Sequence, residues 1–376
     1  MGPGVQEQGE RVQENAASVS VDVLVPTCNR PAELAVTLAG LASQRNPTFG
    51  VIISDQSLEE PAWQHPAPAA MARVLQAQGR PVRLLRHLPR RGLAEHRQFM
   101  LDRSRAEKSL FLDDDVWMEP GALERMSDAL DELQCGFVGM APQGLSFLAD
   151  RRPDQTAVFE SWSGPVTPEV IRPGSPGFER WPLHSAANLS HLSADLHLQP
   201  GEWIPYRVAW LGGCTMYRRE ALNEAGGFRF WQHLPPEHSG EDVLAQWQVM
   251  EKYGGAGILP SGAVHLEAPT TITDRSVEAY ERILKCGRTP ATPEPREKET
   301  TEMNDTPNPI QIQKFLGGVD YPANRDTLVA TAKKSGADAT SSRHWKASRR
   351  RSTRVPLLSA RRFPTPQSDI AVLAPR

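Results

Sequence analysis

Three consecutive carboxylates, Asp113, Asp114 and Asp115, directly follow an apolar run at residues 109–112. Like charges this close together repel one another unless a cation neutralises them. Mg²⁺ or Mn²⁺ would do so, since these ions share their coordination shell between a few carboxylates and substrate phosphates. The triplet could instead be a solvated acidic turn that precedes the next helix. Its position at the end of a predicted buried strand favours the metal site.

A second acidic pair, Glu241 and Asp242, stands at the start of a predicted helix over residues 241–252. Acidic residues at a helix N-terminus are common because they interact favourably with the helix dipole. The other interpretation is a general base held rigidly at the helix start. His265 closes a short predicted strand at residues 263–265 and is either structural or a ligand for a transition metal.

Asp55 ends another predicted strand and could either cap a helix or accept hydrogen bonds from a nucleobase or ribose. Arg30 and Arg97 could be ordinary surface residues, or they could offset the charge of a diphosphate.

The elements that position these residues alternate between strands and helices. Apolar runs predict strands at residues 21–25, 51–53, 82–85, 109–112 and 136–140, and helical periodicity lies between them. This alternation predicts βαβ units, and therefore an α/β domain with a mostly parallel, Rossmann-like sheet flanked by helices. The polar segments follow strand carboxyl ends, where such sheets bind ligands. We therefore expect segments that are remote in sequence to converge on one rim.

The rest of the chain divides by composition. Residues 141–206 are rich in Pro, Trp, His and Gly without clear periodicity, which indicates an irregular functional insertion. A strand at 208–216, helices at 219–225 and 241–252, and strands at 257–259 and 263–265 follow. We predict a disordered N-terminus at 1–19, one domain at 20–286, a linker at 287–309, a small helical segment at 310–339 and a basic disordered tail at 340–376.

Charge and composition argue against several classes of protein. The 376 residues carry a net charge of −3, but the last 36 hold nine basic residues and one acidic residue, which leaves −11 for the first 340. Nucleic-acid binding is therefore unlikely except through the tail. No apolar run approaches the ~18 residues of a transmembrane helix. The first residues lack the apolar core of a secretory signal, and the four cysteines form no CxxC pair, which favours a cytoplasmic protein.

In their order along residues 20–285, these motifs resemble the inverting family 2 glycosyltransferases, which have the GT-A fold. Eight motifs carry the resemblance: VPTCNRP at 25–31, SD at 54–55, GLAEHR at 92–97, FLDDD at 111–115, GGCTMYR at 212–218, GGF at 226–228, GED at 240–242, and His265.

The resemblance implies a role for each matching position. The residues expected to bind the nucleotide part of a UDP- or dTDP-sugar donor are Thr27, Asn29, Arg30, Asp55, Gly92, Arg97 and Asp114. Asp113 and Asp115 would be the DXD pair that, with His265, holds Mn²⁺ or Mg²⁺. Asp242 would be the catalytic base. The residues expected on the acceptor side are Trp210, Gly213 and Glu241.

Two departures from the family pattern concern the substrates. Residues 54–57 read Ser-Asp-Gln-Ser where the family usually has Asp-Asp-Gly-Ser, so contacts with the donor base are expected to differ. Residues 141–206, where acceptors usually bind, show no family pattern. The acceptor therefore stays open between a glycan, a lipid-linked sugar, a small metabolite and a protein, and peripheral membrane association is compatible with the sequence.

Three alternatives compete with the interpretation as a sugar transferase. An aspartyl phosphatase would use Asp113 and Asp115, but it requires Thr or Val at the position of Trp117 and places the motif on its first strand. A nucleotide-sugar-binding protein without turnover would keep the same donor site. A nucleic-acid-associated protein would act through the tail, mainly by electrostatics.

A second resemblance lies near the C-terminus. Residues 310–339 are similar to the first half of the small helical DUF2795 domain, whose function is unknown. The composition then changes abruptly to Arg, Ser and Pro, which we interpret as a change of reading frame that truncates this domain.

Overall fold

A β-sheet of eight strands runs through the centre of the domain. The computed structural model describes residues 19–184, 187–199, 201–270 and 275–286. The strands are β1 (Val21–Thr27), β2 (Phe49–Asp55), β3 (Val82–Arg86), β4 (Lys108–Leu112), β5 (Val116–Met118), β6 (Phe137–Gly139), β7 (Gln143–Gly144), β8 (Ile204–Tyr206), β9 (Cys214–Arg218), β10 (Gly255–Leu259) and β11 (Ala263–His265). The helices are α1 (Pro31–Ala42), α2 (Pro66–Ala77), α3 (Leu93–Leu101), α4 (Ala122–Leu133), α5 (Pro153–Thr156), α6 (Ala187–Asp195), α7 (Arg219–Glu224), α8 (Glu241–Tyr253) and α9 (Ala279–Cys286).

The strand order in this sheet is β3-β2-β1-β4-β9-β6-β10-β8. The first four strands are mutually parallel, β9 is antiparallel to both of its neighbours, and β8 is antiparallel to β10. Six of the eight strands therefore run in one direction. All seven residues of β1 are buried, as expected for a strand covered on both faces. The predicted α/β class with a mostly parallel sheet flanked by helices is confirmed.

The core is built from helix faces that the sequence periodicity predicts. Helix α1 begins with Pro31, which suits the first turn because a proline has no backbone N–H to satisfy. Leu34, Leu38 and Leu41 of this helix are fully buried in the same cluster as the strand residues Val23 and Val51. One face of α1 is thus packed in the core, and its N-terminus lies directly after the loop that leaves β1.

A small second sheet with the order β5-β11-β7 brings two remote segments together. Its strand β5 begins immediately after Asp115, and β11 ends at His265. The two strands are antiparallel, with His265 opposite Val116. In addition, the backbone N–H of Leu266 donates to the carbonyl of Asp115. This pairing places a residue from near the end of the domain beside the acidic triplet.

The structure corrects the predicted strand at residues 208–216. Strand β9 begins only at Cys214, because Gly212 and Gly213 interrupt the extended run, and Gly213 has a φ of 72° that favours glycine. The short strands β5, β7 and β8 were not predicted. Residues 141–206 contain short helices and strands separated by loops.

The chain divides into two units, residues 1–294 and 295–376. The second unit lies outside the described residues, as does the greater part of the predicted N-terminal segment. The proposed linker, the 310–339 segment, the basic tail and the inferred frame change therefore remain predictions. Among the described helices, none combines the length and the apolar character that crossing a bilayer requires.

Gly257 in β10 gives a test of the packing. A Cβ at this position would overlap the ring of Tyr206, so we expect Gly257→Ala to lower the free energy of unfolding by about 1–3 kcal/mol. Gly164→Ala is the matched control, because a Cβ there meets nothing within 4 Å. Urea denaturation measures both variants. Equal stability of the two would contradict the close packing of β10 against β8.

Candidate active site

Three neighbouring strand ends form the rim where the polar segments were expected to meet. Thr27 at the end of β1 lies opposite Asp55 at the end of β2, and the acidic triplet follows the end of β4 on the other side of β1. The hydroxyl of Thr27 donates a hydrogen bond to Asp114 Oδ2 at 2.7 Å. The loop after β1 and the acidic triplet are therefore in direct contact.

Arg30 forms ion pairs with two of the three carboxylates. Its NH1 donates to Asp114 Oδ1 at 3.1 Å and to Asp115 Oδ2 at 2.8 Å, and its NH2 donates to the carbonyl of Pro269. These ion pairs are largely shielded from water, which strengthens them relative to surface pairs. Arg30 thus supplies positive charge to the triplet and connects it to the segment after β11.

Arg97 forms an ion pair with the third carboxylate, Asp113, from a buried position in α3. Its NH2 donates to Asp113 Oδ1 at 3.1 Å, and its Nε donates to Glu241 Oε1 at 3.0 Å. Burial opposes its charge, but Asp113 and Glu241 hold the pKa of Arg97 above its ordinary value. Because the side chain is only 6% exposed, its place in this structure is between two carboxylates. Its expected position near the donor phosphates stays a prediction.

Asp114 is buried below the edge formed by the strand ends, and its carboxylate forms hydrogen bonds with neighbouring side chains. Besides accepting from Thr27 and Arg30, its carbonyl accepts a hydrogen bond from the hydroxyl of Thr37 in α1 at 2.8 Å. Burial raises the pKa of Asp114 to about 7, against the opposing effect of Thr27 and Arg30. Its carboxylate also accepts from Arg30, and its expected role in donor binding stays a prediction.

Asp55 caps a turn, which is one of the two roles that the sequence suggests for it. One carboxylate oxygen accepts from the backbone N–H of Ala62 at 2.7 Å, and the other accepts from the N–H of Ser57. Ala62 begins a short 3₁₀ helix, so Asp55 caps it. With 0% of its surface exposed, Asp55 holds the loop after β2 through these two hydrogen bonds, and its expected contact with the donor stays a prediction.

The loops after β1 and before α3 depend on unusual backbone conformations. Asn29 has a φ of 56°, is exposed, and its backbone N–H donates to Ser57 Oγ at 2.9 Å. Gly92 has a φ of 98°, and a Cβ there would overlap the ring of His238. His238 Nε2 accepts from the N–H of Ala94 at 3.1 Å, which satisfies one of the unpaired amides at the start of α3.

The expected metal ligands are brought together only in part. His265 Nε2 lies 3.6 Å from Asp115 Oδ2, close enough for one cation to contact both atoms. Asp113 is 37% exposed but is turned toward Arg97. In the described part of the chain, no three His, Cys, Asp or Glu side chains are grouped so that they could hold a metal ion. A carboxylate oxygen and an imidazole nitrogen nevertheless suit Mn²⁺, provided that substrate oxygens complete the shell.

His265 would need a different tautomer to bind a metal. Its Nδ1 accepts a hydrogen bond from the backbone N–H of Glu267 at 2.7 Å, which leaves the ring proton of the neutral form on Nε2. The ring is 39% exposed, so it is free to exchange that proton with water. Ligation through Nε2 would move the proton to Nδ1 and release Glu267.

Asp242, the expected base, lies at the start of α8. It is the second residue of α8, and its Oδ1 accepts from the N–H of Val243 at 2.8 Å. Burial and the adjacent Glu241 raise the pKa of Asp242 to about 7. A Cβ at Gly212 would lie 3.8 Å from Asp242 Oδ2, and a Cβ at Gly213 would lie 3.4 Å from Asp113 Oδ2. The two glycines thus lie between Asp242 and the acidic triplet.

The residues expected on the acceptor side are mostly covered. Glu241 is buried against Arg97, and Trp210 is only 6% exposed beneath the rings of Phe178 and His184. Sequence reasoning missed His238 and these aromatic neighbours. Single histidines and an aperiodic aromatic segment gave no pattern by which to assign them.

Two parts of the chain match models of protein families. Residues 22–184 match the model described as glycosyl transferase family 2, and residues 307–340 match the protein of unknown function DUF2795. The resemblance to family 2 glycosyltransferases, with their GT-A type of fold, is therefore confirmed over the first range, and the resemblance to DUF2795 over the second. The first match ends before β9, α8 and β11, so it does not include Asp242 or His265.

Individual relatives cover different shares of the chain. A Haemophilus influenzae protein described as an uncharacterized glycosyltransferase is 30% identical over 112 residues, which is 30% of this chain and 35% of that protein. The mannosyltransferase PcManGT from Pyrobaculum calidifontis, solved with GDP-Man and Mn²⁺, is 16% identical with a TM-score of 0.44 over 73% of this chain and 66% of its own. S. aureus TarS 1–349 with UDP-GlcNAc is 15% identical with a TM-score of 0.45 over 67% and 60%.

The buried pair of Arg97 and Glu241 gives a test of the charge arrangement. We expect Arg97→Met to lower the free energy of unfolding by about 3–5 kcal/mol, because it leaves Glu241 buried without its partner. The double variant Arg97→Met/Glu241→Gln should lose less than the sum of the two single variants. Arg45→Met, at an exposed position, is the control. Strict additivity in chemical denaturation would contradict the direct pairing.

Proposed function

We propose that this domain is a metal-dependent inverting glycosyltransferase, which moves a sugar from a nucleoside diphosphate sugar to an acceptor hydroxyl. The observation that carries the proposal is the position of Asp242 across Gly212 and Gly213 from the acidic triplet. A donor diphosphate at the triplet and an acceptor at Asp242 would then meet over these two glycines. Neither glycine has a side chain that would occupy the space between the two substrates.

Asp242 acts as the general base. Its Oδ1 is held by the N–H of Val243, and Oδ2 accepts the proton of the acceptor hydroxyl as that oxygen attacks the anomeric carbon. The diphosphate leaves from the opposite face, so the configuration is inverted. A pKa raised to about 7 suits this task, because a base works best when its pKa lies near the working pH.

Asp115 and His265 would hold the cation, together with oxygens of the donor diphosphate. Bound there, Mn²⁺ or Mg²⁺ would neutralise the charge that develops on the departing diphosphate. Arg30 already hydrogen-bonds Asp115, and it stays close enough to contribute positive charge to the same leaving group. The donor is a UDP- or dTDP-sugar, and the exposed loop at Asn29 contributes to the surface that receives its nucleotide.

The assignment of the base predicts a loss of transfer without a loss of donor binding. We expect Asp242→Asn to lower kcat by about 10²–10⁴-fold, while a nucleotide sugar with Mn²⁺ still raises the melting temperature. In the wild type, kcat/KM should fall as the pH drops below about 7, because protonation removes the base. Asp154→Asn, an exposed carboxylate, is the control and should leave both unchanged. Normal turnover by Asp242→Asn would contradict the assignment.

The cation site predicts metal-dependent nucleotide binding. We expect Asp115→Ala and His265→Ala each to remove the increase in UDP or dTDP affinity that Mn²⁺ produces in the wild type, since each deletes one of two protein ligands. His197→Ala, an exposed histidine outside the site, should retain the increase. Isothermal titration calorimetry with and without Mn²⁺ measures this increase in nucleotide affinity. An unchanged metal effect in both ligand variants would place the cation elsewhere.

A further inference from the structure

His238 is a buried histidine in the loop that leads to Asp242. It lies between the 3₁₀ helix Arg229–His233 and α8, and only 2% of the residue is exposed. A buried imidazole needs a partner for each ring nitrogen, because burying an unpaired polar group costs free energy. The partners of His238 therefore show what holds this loop in place.

The two partners of His238 determine where its proton lies. Nδ1 is 2.7 Å from the carbonyl oxygen of Pro235, which can only accept a hydrogen bond, so Nδ1 carries the proton. Nε2 accepts the backbone N–H of Ala94 at 3.1 Å. Burial also lowers the pKa of His238, against the opposing effects of the Pro235 carbonyl and Glu237. The ring is therefore neutral, a donor within its own loop and an acceptor toward α3.

The backbone before α3 leaves room for this ring. Gly92 has a φ of 98°, a conformation that favours glycine, and a Cβ there would overlap the ring of His238 and lie 2.7 Å from the carbonyl oxygen of Pro236. Nε2 thereby reaches the first turn of α3, where backbone amides have no partner within the helix. The contact between His238 and Ala94 thus depends on the missing side chain at Gly92.

This contact gives α3 a second connection to the segment that carries the expected base. Another connection is the ion pair of Arg97 with Glu241 at 3.0 Å. Ala94 and Arg97 are three residues apart in α3, and His238 and Glu241 are also three residues apart. One connection would leave the two segments able to rotate about it, whereas two connections fix their relative orientation.

The same loop is also held from the side of residues 277–279. The N–H of Ser239 donates to the carbonyl of Val277 at 3.0 Å, and the N–H of Ala279 donates to the carbonyl of Ser239 at 2.8 Å. The hydroxyl of Ser239 donates to Glu278 Oε1 at 3.1 Å. His238 adds the attachment to α3, so the turn before α8 is fixed from two sides.

We propose that His238 is a positioning residue for the base: by accepting the amide of Ala94, it fixes the turn before Asp242 relative to α3. The inference rests on the proposed function, since it concerns the orientation of a base that the proposed reaction requires. His238 acts through Asp242 and is not itself a catalytic residue. Loss of the contact would displace the carboxylate of Asp242, and a displacement of about 1 Å can lower a rate by about 10²-fold.

Two amide substitutions separate the two hydrogen bonds of the ring. A glutamine places an amide oxygen near the position of Nε2, so His238→Gln can still accept from Ala94. An asparagine is shorter and places its amide near the position of Nδ1, so His238→Asn retains only the contact within the loop. The difference between the two variants therefore isolates the contact with α3. His233→Asn, at an exposed histidine of the neighbouring 3₁₀ helix, is the control.

Hydrogen exchange and NMR titration test the contact without a substrate. We expect the Ala94 amide to exchange at least about tenfold faster in His238→Asn than in the wild type, His238→Gln or the control. The pKa of Asp242, followed by its carboxyl ¹³C shift, should fall from about 7 toward its ordinary value in His238→Asn alone, because a loosened turn admits water. Unchanged exchange would overturn the contact. Faster exchange with an unchanged Asp242 pKa would reduce His238 to a helix cap.

The wild type provides a test that does not depend on the folding of a variant. Long-range proton–nitrogen NMR distinguishes the protonated from the unprotonated nitrogen of a histidine ring. At pH 7 we expect His238 to carry its proton on Nδ1 alone. A proton on Nε2 would be incompatible with the acceptor role and would by itself refute the proposal.

Turnover separates this inference from the proposed function. The probe is the nucleotide sugar that stabilises the wild type most in the presence of Mn²⁺, and release of its nucleoside diphosphate gives kcat and the donor KM. We expect His238→Asn to lower kcat about ten- to hundredfold with little change in KM, and His238→Gln to stay within about threefold of the wild type. Equal kcat in the two variants would remove the positioning role and leave the proposed function intact. No stabilisation of the wild type by any nucleotide sugar would remove the proposed function itself.

Discussion

The charge compensation of three adjacent carboxylates is the constraint on which this site depends. Asp113, Asp114 and Asp115 leave β4 within a single turn, and their mutual repulsion has to be offset within the fold. Arg30 at the start of α1 and Arg97 in α3 do this from opposite sides, one near the surface and one buried. Because Arg97 also pairs with a carboxylate at the start of α8, the acidic turn and the candidate base belong to one network of charges.

That network explains why residues far apart in the sequence keep a constant geometry. Glu241 pairs with Arg97, so the first turn of α8 is fixed relative to β4. Gly212 and Gly213 directly precede the antiparallel strand β9 and lie between Asp242 and the acidic triplet, and the pairing of β11 with β5 brings His265 to Asp115. An acidic turn, a base and an imidazole thus come from three separate parts of the chain.

Much of the fold was predictable because the first strands and helices have strong patterns, such as the buried run of β1 and the leucine spacing of α1. The convergence of polar segments on one rim followed from the parallel sheet. The roles of individual residues could not be predicted in this way. Nothing in the sequence shows that Asp55 has both carboxylate oxygens bonded to backbone amides, or that Arg97 is buried between two acids. Such roles depend on tertiary distances, as does the antiparallel direction of β9.

The central claim is a direct displacement with Asp242 as the only base. Proton NMR of the first-formed product, with the nucleotide sugar that stabilises the protein most, measures the anomeric configuration before it equilibrates. A single displacement predicts the configuration opposite to that of the donor. A product that retains the donor's configuration would contradict the account, because retention requires a second displacement or a different attack geometry.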